Sequence, residues 1–346
     1  MERITLNIEN RKSEVYIGKD WKTVNELLPA GGYIIITDEN VRNIYGKDFP
    51  VCPVISVKPG EESKNLNTLG RLAQGLLGAG IDRSGFVLGI GGGVVCDIAG
   101  FLASVYMRGI KFGFVSTSLL SQVDASVGGK NAVNVEKVKN ILGCFRQPEF
   151  VICDQKMLKT LPEDEYISGL AELIKTAVIL DAELFSLIGQ NVNRIKNADP
   201  GLLEDLIAKA VRLKASVVTE DEREITGKRM ILNFGHTFGH VIETVTGMKH
   251  GFAVACGMAI ACDISSATGY MSTAESERIK SLLNDFGLLK KHGVTAGQFG
   301  KMLLTDKKKE GSRINFVMAG PVGRAEVVKM EADEILKIYR SVISSE

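Results

Sequence analysis

Phe86-Val87-Leu88-Gly89-Ile90 leads directly into Gly91-Gly92-Gly93-Val94-Val95-Cys96-Asp97, so a strand-like run is followed by a glycine-rich turn and the start of a helical pattern. Glycines at such a turn let the backbone approach a pyrophosphate, and the N-terminus of the next helix favours its negative charge. The spacing differs from the Gly-x-Gly-x-x-Gly of the usual dinucleotide-binding turn. Taken alone, the turn indicates either a phosphate site or an ordinary tight turn.

The surrounding sequence alternates short β-branched runs with helical patterns, which predicts a doubly wound, mostly parallel α/β sheet. The predicted strands cover residues 3–8, 33–37, 54–57, 86–90, 111–115 and 150–153, and the predicted helices between them cover 66–78 and 94–106. Later helices are predicted near 163–180, 202–219, 233–246, 251–268 and 274–285, with strands only at 314–318 and 324–328. We therefore expect a Rossmann-like α/β domain at 1–155, a mainly α-helical domain at 156–346, and a cleft between them.

The composition indicates an intracellular enzyme rather than a nucleic-acid or membrane protein. The 346 residues are 45% hydrophobic, which can fill two cores, and the formal net charge of +1 argues against a general polyanion-binding surface. The six cysteines form no Cys-x-x-Cys pair and no secretory signal precedes them, so we expect free thiols in the cytoplasm. No segment reaches about 18 continuous apolar residues, so we expect no membrane span.

Histidines cluster in a way that is typical of a metal site. Three of the four histidines are His236, His240 and His250. The first two are four residues apart and share one helical face, which His250 would meet from the next helix start. The alternative is a helical face that carries two imidazoles beside a loop histidine. Glu172, a charged residue in an apolar helical stretch, is the best candidate for a completing carboxylate.

Polar residues follow three of the predicted strands. They are Thr37-Asp38, the PGEESK run at 59–64 and the glycine-rich turn. Because ligands of doubly wound sheets bind beyond the carboxyl ends of the strands, these loops favour a nucleotide crevice, in which an acid could hold a ribose hydroxyl.

A second polar block resembles a cradle for phosphate and hydroxyl groups. It comprises Ser116-Thr117-Ser118, Asp124, Gly128-Gly129-Lys130-Asn131 and Lys139-Asn140, to which Arg108, Lys214 and Arg229 could add charge. The alternative is a solvated loop with ordinary surface lysines. So many basic residues beside one metal would suit a small substrate that carries both phosphate and carboxylate.

Seven blocks, in order along essentially the whole chain, resemble the 3-dehydroquinate synthase family. They are PGEESK (59–64), GGGVVCDIAGFLASVYMRG (91–109), STSLLSQVDASVGGK (116–130), KNILGCFRQP (139–148), SGLAELIKT (168–176), DERE (221–224) and RMILNFGHTFGH (229–240) with His250-Gly251. The wider superfamily includes glycerol dehydrogenase and combines an N-terminal NAD-binding domain with a helical metal-bearing domain.

The resemblance implies a role for each matching residue. One divalent metal per chain, zinc or cobalt, would be held by Glu172, His236 and His250, which moves His240 from the ligands to a supporting or substrate-facing place. NAD would contact Asp38, Glu61, Lys64, Gly92, Gly93, Asp97, Thr117, Ser118, Lys139 and Thr160. Substrate would be held by Asp124, Lys130, Asn140, Lys175, Lys214, Arg229, Asn233, His240, Lys307 and Lys308, with Arg108 supplied by the partner subunit of a homodimer.

The implied reaction converts 3-deoxy-D-arabino-heptulosonate 7-phosphate to 3-dehydroquinate and phosphate. Its steps are transient oxidation by NAD, β-elimination of phosphate, re-reduction, ring opening and an intramolecular aldol closure. Three alternatives stay open. Two are enzymes: a sugar-phosphate cyclase of the 2-deoxy-scyllo-inosose synthase type and a polyol dehydrogenase of the glycerol dehydrogenase type. The third is a non-catalytic binding module.

Three residues depart from the family pattern. Cys96 stands where glycine is frequent, Asn131 where threonine is common, and Phe252 where many members have glutamate after His-Gly. None removes an implied ligand, but Phe252 leaves open which carboxylate orients His250.

Overall fold

The computed structural model describes residues 1–8, 11–136, 138–303, 309–310 and 313–343. Internal contacts divide the chain into two compact units. The first comprises Met1–Tyr166 with Leu203–Arg223, and the second comprises Ile167–Leu202 with Glu224–Glu346. Residues 203–223 thus belong by contact to the first unit, although they follow the predicted domain boundary in sequence.

A seven-stranded sheet organises the first unit. The strands of this unit are β1 (Glu2–Ile8), β2 (Arg11–Ile17), β3 (Tyr33–Asp38), β4 (Val54–Val57), β5 (Phe86–Gly91), β6 (Lys111–Ser116), β7 (Lys130–Val135), β8 (Val138–Phe145) and β9 (Phe150–Cys153). The sheet has the order β1-β2-β9-β6-β5-β3-β4, in which β1 and β2 are antiparallel and all other neighbours are parallel. This architecture confirms the predicted α/β class.

Three helices of the first unit each follow one of its parallel strands. They are α1 (Glu39–Tyr45), α2 (Leu66–Gly78) and α3 (Gly93–Val105). Every residue of β5 is buried, because a central parallel strand has covered faces on both sides. Strands β3 and β5 are neighbours although β4 lies between them in sequence. The strands that follow β3 in the chain are therefore added first on one side of it and then on the other. The loops that follow these two strands flank the crevice where doubly wound sheets bind ligands.

The second unit is mainly helical, as predicted. Its helices are α4 (Glu163–Leu180), α5 (Ala182–Gln190), α6 (Val192–Lys196), the start of α7 (Pro200–Glu220), α8 (His236–Thr246), α9 (His250–Ala267), α10 (Thr273–Asp285), α11 (Ala296–Leu303) and α12 (Ala332–Ile343). Strands β10 (Lys309–Glu310), β11 (Arg313–Ala319) and β12 (Ala325–Glu331) form a small antiparallel sheet. By length and composition α9 could cross a membrane, yet 72% of it is buried, as in the core helix of a folded domain.

The structure also contains elements that the sequence patterns do not predict. Strand β2 and the β7–β8 hairpin are among them. The hairpin contains the later part of the polar block that lies between residues 116 and 140. Helix α8 begins at His236 rather than at 233, because Gly235 adopts a left-handed φ of 78° that interrupts helical geometry. Lys307 and Lys308 lie outside the described residues.

Candidate functional site

Three helices of the second unit bring Glu172, His236 and His250 together. Glu172 lies in the middle of α4, and each histidine is the first residue of its helix, α8 or α9. One ligand atom from each residue lies within 4.8 Å of the others. The Nε2 atoms of His236 and His250 are 3.8 and 3.5 Å from Oε1 of Glu172. The arrangement matches the histidine and carboxylate set that holds a divalent metal with open positions.

Close packing of α8 against α9 places the two histidines. A Cβ on Gly239 would lie 3.0 Å from the Cα of Val254, so a larger residue would push the helices apart. Gly235, at the start of α8, is equally close: a Cβ there would lie 2.9 Å from the carbonyl oxygen of Val254. The glycines around the histidines are therefore required by the approach of the helices.

Both imidazoles are oriented through Nδ1. Nδ1 of His236 lies 3.1 Å from the carbonyl oxygen of Phe234, and Nδ1 of His250 lies 3.2 Å from Oε2 of Glu243. Because both partners are acceptors, Nδ1 carries a proton, and Nε2 is left directed toward Glu172 as the atom that can bind a metal.

Glu243 supplies the carboxylate that orients His250, in a chain that has Phe252 after His-Gly. The carboxylate beside His250 comes from α8, three residues after His240, and not from the position after His-Gly. Phe252 instead packs under Lys290, whose Nζ lies 5.3 Å from the ring centroid. The residue spacing His236, His240, Glu243 places all three on one face of α8, which was the only sequence signal for this role.

The electrostatics of this cluster suit a divalent cation. Glu172 is 0% exposed, and within the described part of the chain neither of its carboxylate oxygens accepts a regular hydrogen bond, although Lys175 forms an ion pair with Oε2. Burial raises the pKa of Glu172, but Lys175 and His250 outweigh burial and lower it to about 2. Burial lowers the pKa of His250, but Glu172 and Glu243 raise it to about 10. The surroundings therefore favour positive charge between these side chains, which a metal ion supplies as well as a proton does.

His240 lies beside the ligands without joining them. Its ring centroid is 5.1 Å from that of His236 and 6.4 Å from that of His250, and the residue is exposed. The arrangement of three histidines suggested by spacing alone is thus replaced by two histidines and Glu172, with the third imidazole at the rim. Arg229, 2% exposed, and the half-buried Asn233 lie on the short 3-10 helix Lys228–Asn233 that precedes α8.

In the first unit, most residues assigned to NAD lie at the carboxyl ends of the strands. Asp38 ends β3 and caps α1 by accepting from the Val41 amide at 2.9 Å. Gly92 and Gly93 open α3, where free amide groups can face a phosphate. Thr117 and Ser118 follow β6, and the Thr117 amide donates to the Gly91 carbonyl at 3.0 Å.

Two further residues assigned to NAD lie away from these strand ends. Thr160 follows β9 and its hydroxyl lies 2.6 Å from that of Tyr45. Lys139 is exposed on β8.

Lys64 is the centre of a polar network in the same unit. Its Nζ donates to Asp97 Oδ2 and to Asn140 Oδ1, each at 2.6 Å, and lies 3.5 Å from Glu61 Oε1. Burial lowers the pKa of Lys64, but Asp97 and Glu61 outweigh burial and raise it, so the amine stays charged. The network joins three residues assigned to NAD with Asn140, which was assigned to substrate.

The other substrate-assigned residues of this unit lie on separate elements. Lys214 of α7 donates to the carbonyl oxygen and Oδ1 of Asp124, each at 2.6 Å. Lys130 is exposed at the start of β7. Arg108 is exposed after α3 and has a positive φ of 68°, directly after Met107 with a φ of 49°. Two successive non-glycine residues with positive φ indicate a strained turn of the kind found at functional sites.

Comparison with known proteins identifies one family along most of the chain. Residues 54–168 match the family model of the 3-dehydroquinate synthase N-terminal domain, and residues 169–309 match that of the C-terminal domain. A 3-dehydroquinate synthase from Alkaliphilus metalliredigens is 38% identical over 97% of both chains, and one from Pelobacter propionicus is 43% identical over 89% of both.

A solved structure resembles the whole chain. The crystal structure of a 2-deoxy-scyllo-inosose synthase complexed with carbaglucose-6-phosphate, NAD+ and Co2+ has a TM-score of 0.87 at 26% identity and covers 98% of this chain and 100% of its own.

Proposed function

The chain belongs to the 3-dehydroquinate synthase family, and we propose from this premise that residues 1–155 form an NAD-binding domain and residues 156–346 a metal- and substrate-binding domain, with Asp124, Lys130 and Asn140 of the first range also contacting substrate. The activity is that of a carbon–oxygen lyase that converts 3-deoxy-D-arabino-heptulosonate 7-phosphate to 3-dehydroquinate and phosphate. The observation that carries the proposal is the convergence of Glu172, His236 and His250.

Two bound groups take part. When bound, NAD accepts and returns one hydride, and a divalent zinc or cobalt ion polarises a substrate oxygen. Glu172, His236 and His250 would hold the metal, and the loops after β3, β5 and β6 would hold NAD through Asp38, Gly92, Gly93, Thr117 and Ser118. Glu61, Lys64, Asp97, Lys139 and Thr160 would complete the cofactor site. The similar 2-deoxy-scyllo-inosose synthase, complexed with NAD+ and Co2+, supports both groups.

The basic and amide side chains would fix the substrate in one reactive conformation. Lys130, Lys175, Lys214, Arg229 and the pair Lys307 and Lys308 would neutralise its phosphate and carboxylate, while Asp124, Asn140 and Asn233 would orient its hydroxyl groups. Arg229 presents a planar fork that suits a carboxylate.

His240 would exchange protons with the substrate. Its ring is exposed beside His236 and His250, so it can face a bound molecule while the other two hold the metal. An imidazole can both donate and accept a proton, which suits this role.

A homodimer would cover the exposed apolar residues of the first unit, and the cytoplasm would be its compartment. Val105 and Met107, which come just before Arg108, are 47% and 37% exposed. Strand β8 exposes Val138, Ile141, Leu142 and Phe145, and within the described ranges it pairs only with β7. Apolar surface of this kind marks contact sites, and a second copy would cover it while bringing Arg108 to the neighbouring active site. The six unpaired cysteines suit a reducing compartment.

The alternative enzyme classes differ in substrate. A cyclase of the 2-deoxy-scyllo-inosose synthase type would close a ring from another sugar phosphate, and a polyol dehydrogenase would need no phosphate clamp. The 38% and 43% identities to 3-dehydroquinate synthases exceed the 26% identity to the cyclase.

The test supplies purified protein, NAD and a divalent metal with either the heptulosonate phosphate or glucose 6-phosphate. Phosphate and 3-dehydroquinate from the first substrate alone support the proposal. A carbocycle from glucose 6-phosphate, or no phosphate from either compound, contradicts it.

A further inference from the structure

We propose that Asn134 is a positioning residue that holds the NAD-side loop and the substrate-side residue Asn140 in one arrangement. The inference rests on the proposed function for the roles of its neighbours, but the contacts themselves belong to the first unit. No motif considered above assigns a role to Asn134.

Asn134 makes three hydrogen bonds, each to a residue of this site. Its backbone amide donates to the carbonyl oxygen of Lys64 at 2.7 Å, and its Nδ2 donates to Glu61 Oε1 at 2.8 Å. Its Oδ1 accepts from the backbone amide of Asn140 at 2.8 Å. Since Lys64 Nζ donates to Asn140 Oδ1, the three residues Lys64, Asn134 and Asn140 form a closed ring of hydrogen bonds.

A β-bulge makes this geometry available. Val133 pairs with Leu142 and Val135 pairs with Val138, so Asn134 alone on β7 faces three residues of β8, which are Lys139, Asn140 and Ile141. It pairs instead with Asn65, in an isolated parallel bridge, next to Lys64. Bulges free a residue from the ladder and re-aim its side chain, and they recur beside active sites.

Asn140 needs such support. It is exposed and has a positive φ of 51°, a conformation that non-glycine residues seldom adopt without help from their surroundings. Its backbone amide and its side-chain oxygen are both held by the ring described above. Removing the Asn134 side chain leaves Asn140 with only its hydrogen bond from Lys64. Glu61 at the same time loses the hydrogen bond that it accepts from Asn134 Nδ2.

One substitution should therefore affect both ligands. For Asn134→Ala we expect the Kd of NAD, measured by calorimetry without substrate, to rise about fivefold or more, which corresponds to one lost hydrogen bond. We expect the KM for the heptulosonate phosphate at saturating NAD to rise by a similar factor. Asn134→Asp keeps an acceptor for the Asn140 amide but puts a carboxylate beside Glu61, so it should weaken NAD more than substrate.

A double-mutant cycle separates positioning from general stability. Asn134→Ala should raise KM no further in an Asn140→Ala background, because its effect on substrate passes through that residue. Val133→Ala is the matched control: Val133 is fully buried one residue away, so its truncation loosens the hairpin and lowers the melting temperature without removing these hydrogen bonds.

The inference is overturned if Asn134→Ala keeps both constants within twofold of the wild type, if the two substitutions raise KM additively, or if Val133→Ala reproduces the losses. A wild-type protein that releases no phosphate would refute the proposed function, and the Kd of NAD would then decide the role of Asn134 by itself.

Discussion

The carboxylate of Glu243 lies 3.2 Å from Nδ1 of His250, on the opposite side of the imidazole from Glu172. The Glu243 carboxylate therefore orients the ring through Nδ1, while Nε2 is directed toward the Glu172 carboxylate. This relationship converts a histidine at a helix start into an oriented ligand, and it is supplied by a residue seven positions earlier in the chain.

Replacing Glu243 should weaken metal binding more than it weakens the fold. We expect Glu243→Ala to raise the Kd for zinc, measured by competition with a chromophoric chelator, by about 10 to 100-fold, because His250 loses the acceptor that sets its orientation. Asp263→Asn is the control, since Asp263 is a carboxylate on the same helix as His250 that pairs with Lys280 at 2.8 Å instead. An unchanged Kd in Glu243→Ala would show that His250 needs no such support.

His236 and His240 should separate into a ligand and a reacting group. Elemental analysis of His240→Ala should find about one metal ion per chain, while its kcat falls by about 100-fold or more, as for the loss of an acid–base group. His236→Ala should lose the metal. If His240→Ala also came out metal-free, the assignment of the third ligand to Glu172 would be wrong.

Arg229 should not tolerate lysine. The side chain is buried, and a lysine keeps the charge but lacks the planar fork that meets a carboxylate in two hydrogen bonds. We expect Arg229→Lys to lower kcat/KM about tenfold or more, with Arg313→Lys, at a side chain that is 63% exposed, as the neutral control. Wild-type efficiency in Arg229→Lys would exclude a direct role in substrate binding.

Arg108 should act in the partner's site. Arg108→Ala and Lys130→Ala should each be nearly inactive, yet hybrids formed by mixing and re-associating them contain one site with both residues intact. Random exchange then restores about a quarter of wild-type activity. Mixing Lys130→Ala with Asn140→Ala should restore none, because both residues act within one chain. Absence of rescue in the first mixture would place Arg108 in its own subunit's site or outside any site.

The sequence predicted the buried parallel strands best, because runs such as 33–37 and 86–90 are covered on both faces and need apolar residues throughout. It missed β2, whose RKSEVYI begins with charged residues and pairs beside the edge strand. The β7–β8 hairpin was also missed, because every described residue of β8 is exposed or half-buried and its apolar residues do not alternate with polar ones as in a half-buried strand.

The site residues divide in the same way. The residue pattern indicated His236, His240 and His250 with Glu172 as the completing carboxylate, and the family resemblance removed His240 from the ligands. Glu243 and Asn134 were missed, because their partners are fixed by where α9 begins and by a β-bulge, and neither follows from a local pattern.

The most direct test of the account is the fate of NAD during turnover. The purified protein receives the heptulosonate phosphate with NAD at less than one equivalent of substrate, and released phosphate and absorbance of NADH are followed together. Because the same site removes and returns one hydride, we expect phosphate release to go to completion with no lasting growth of NADH absorbance. Steady accumulation of NADH in proportion to substrate consumed, or phosphate release that stops at one equivalent of NAD, would contradict the account.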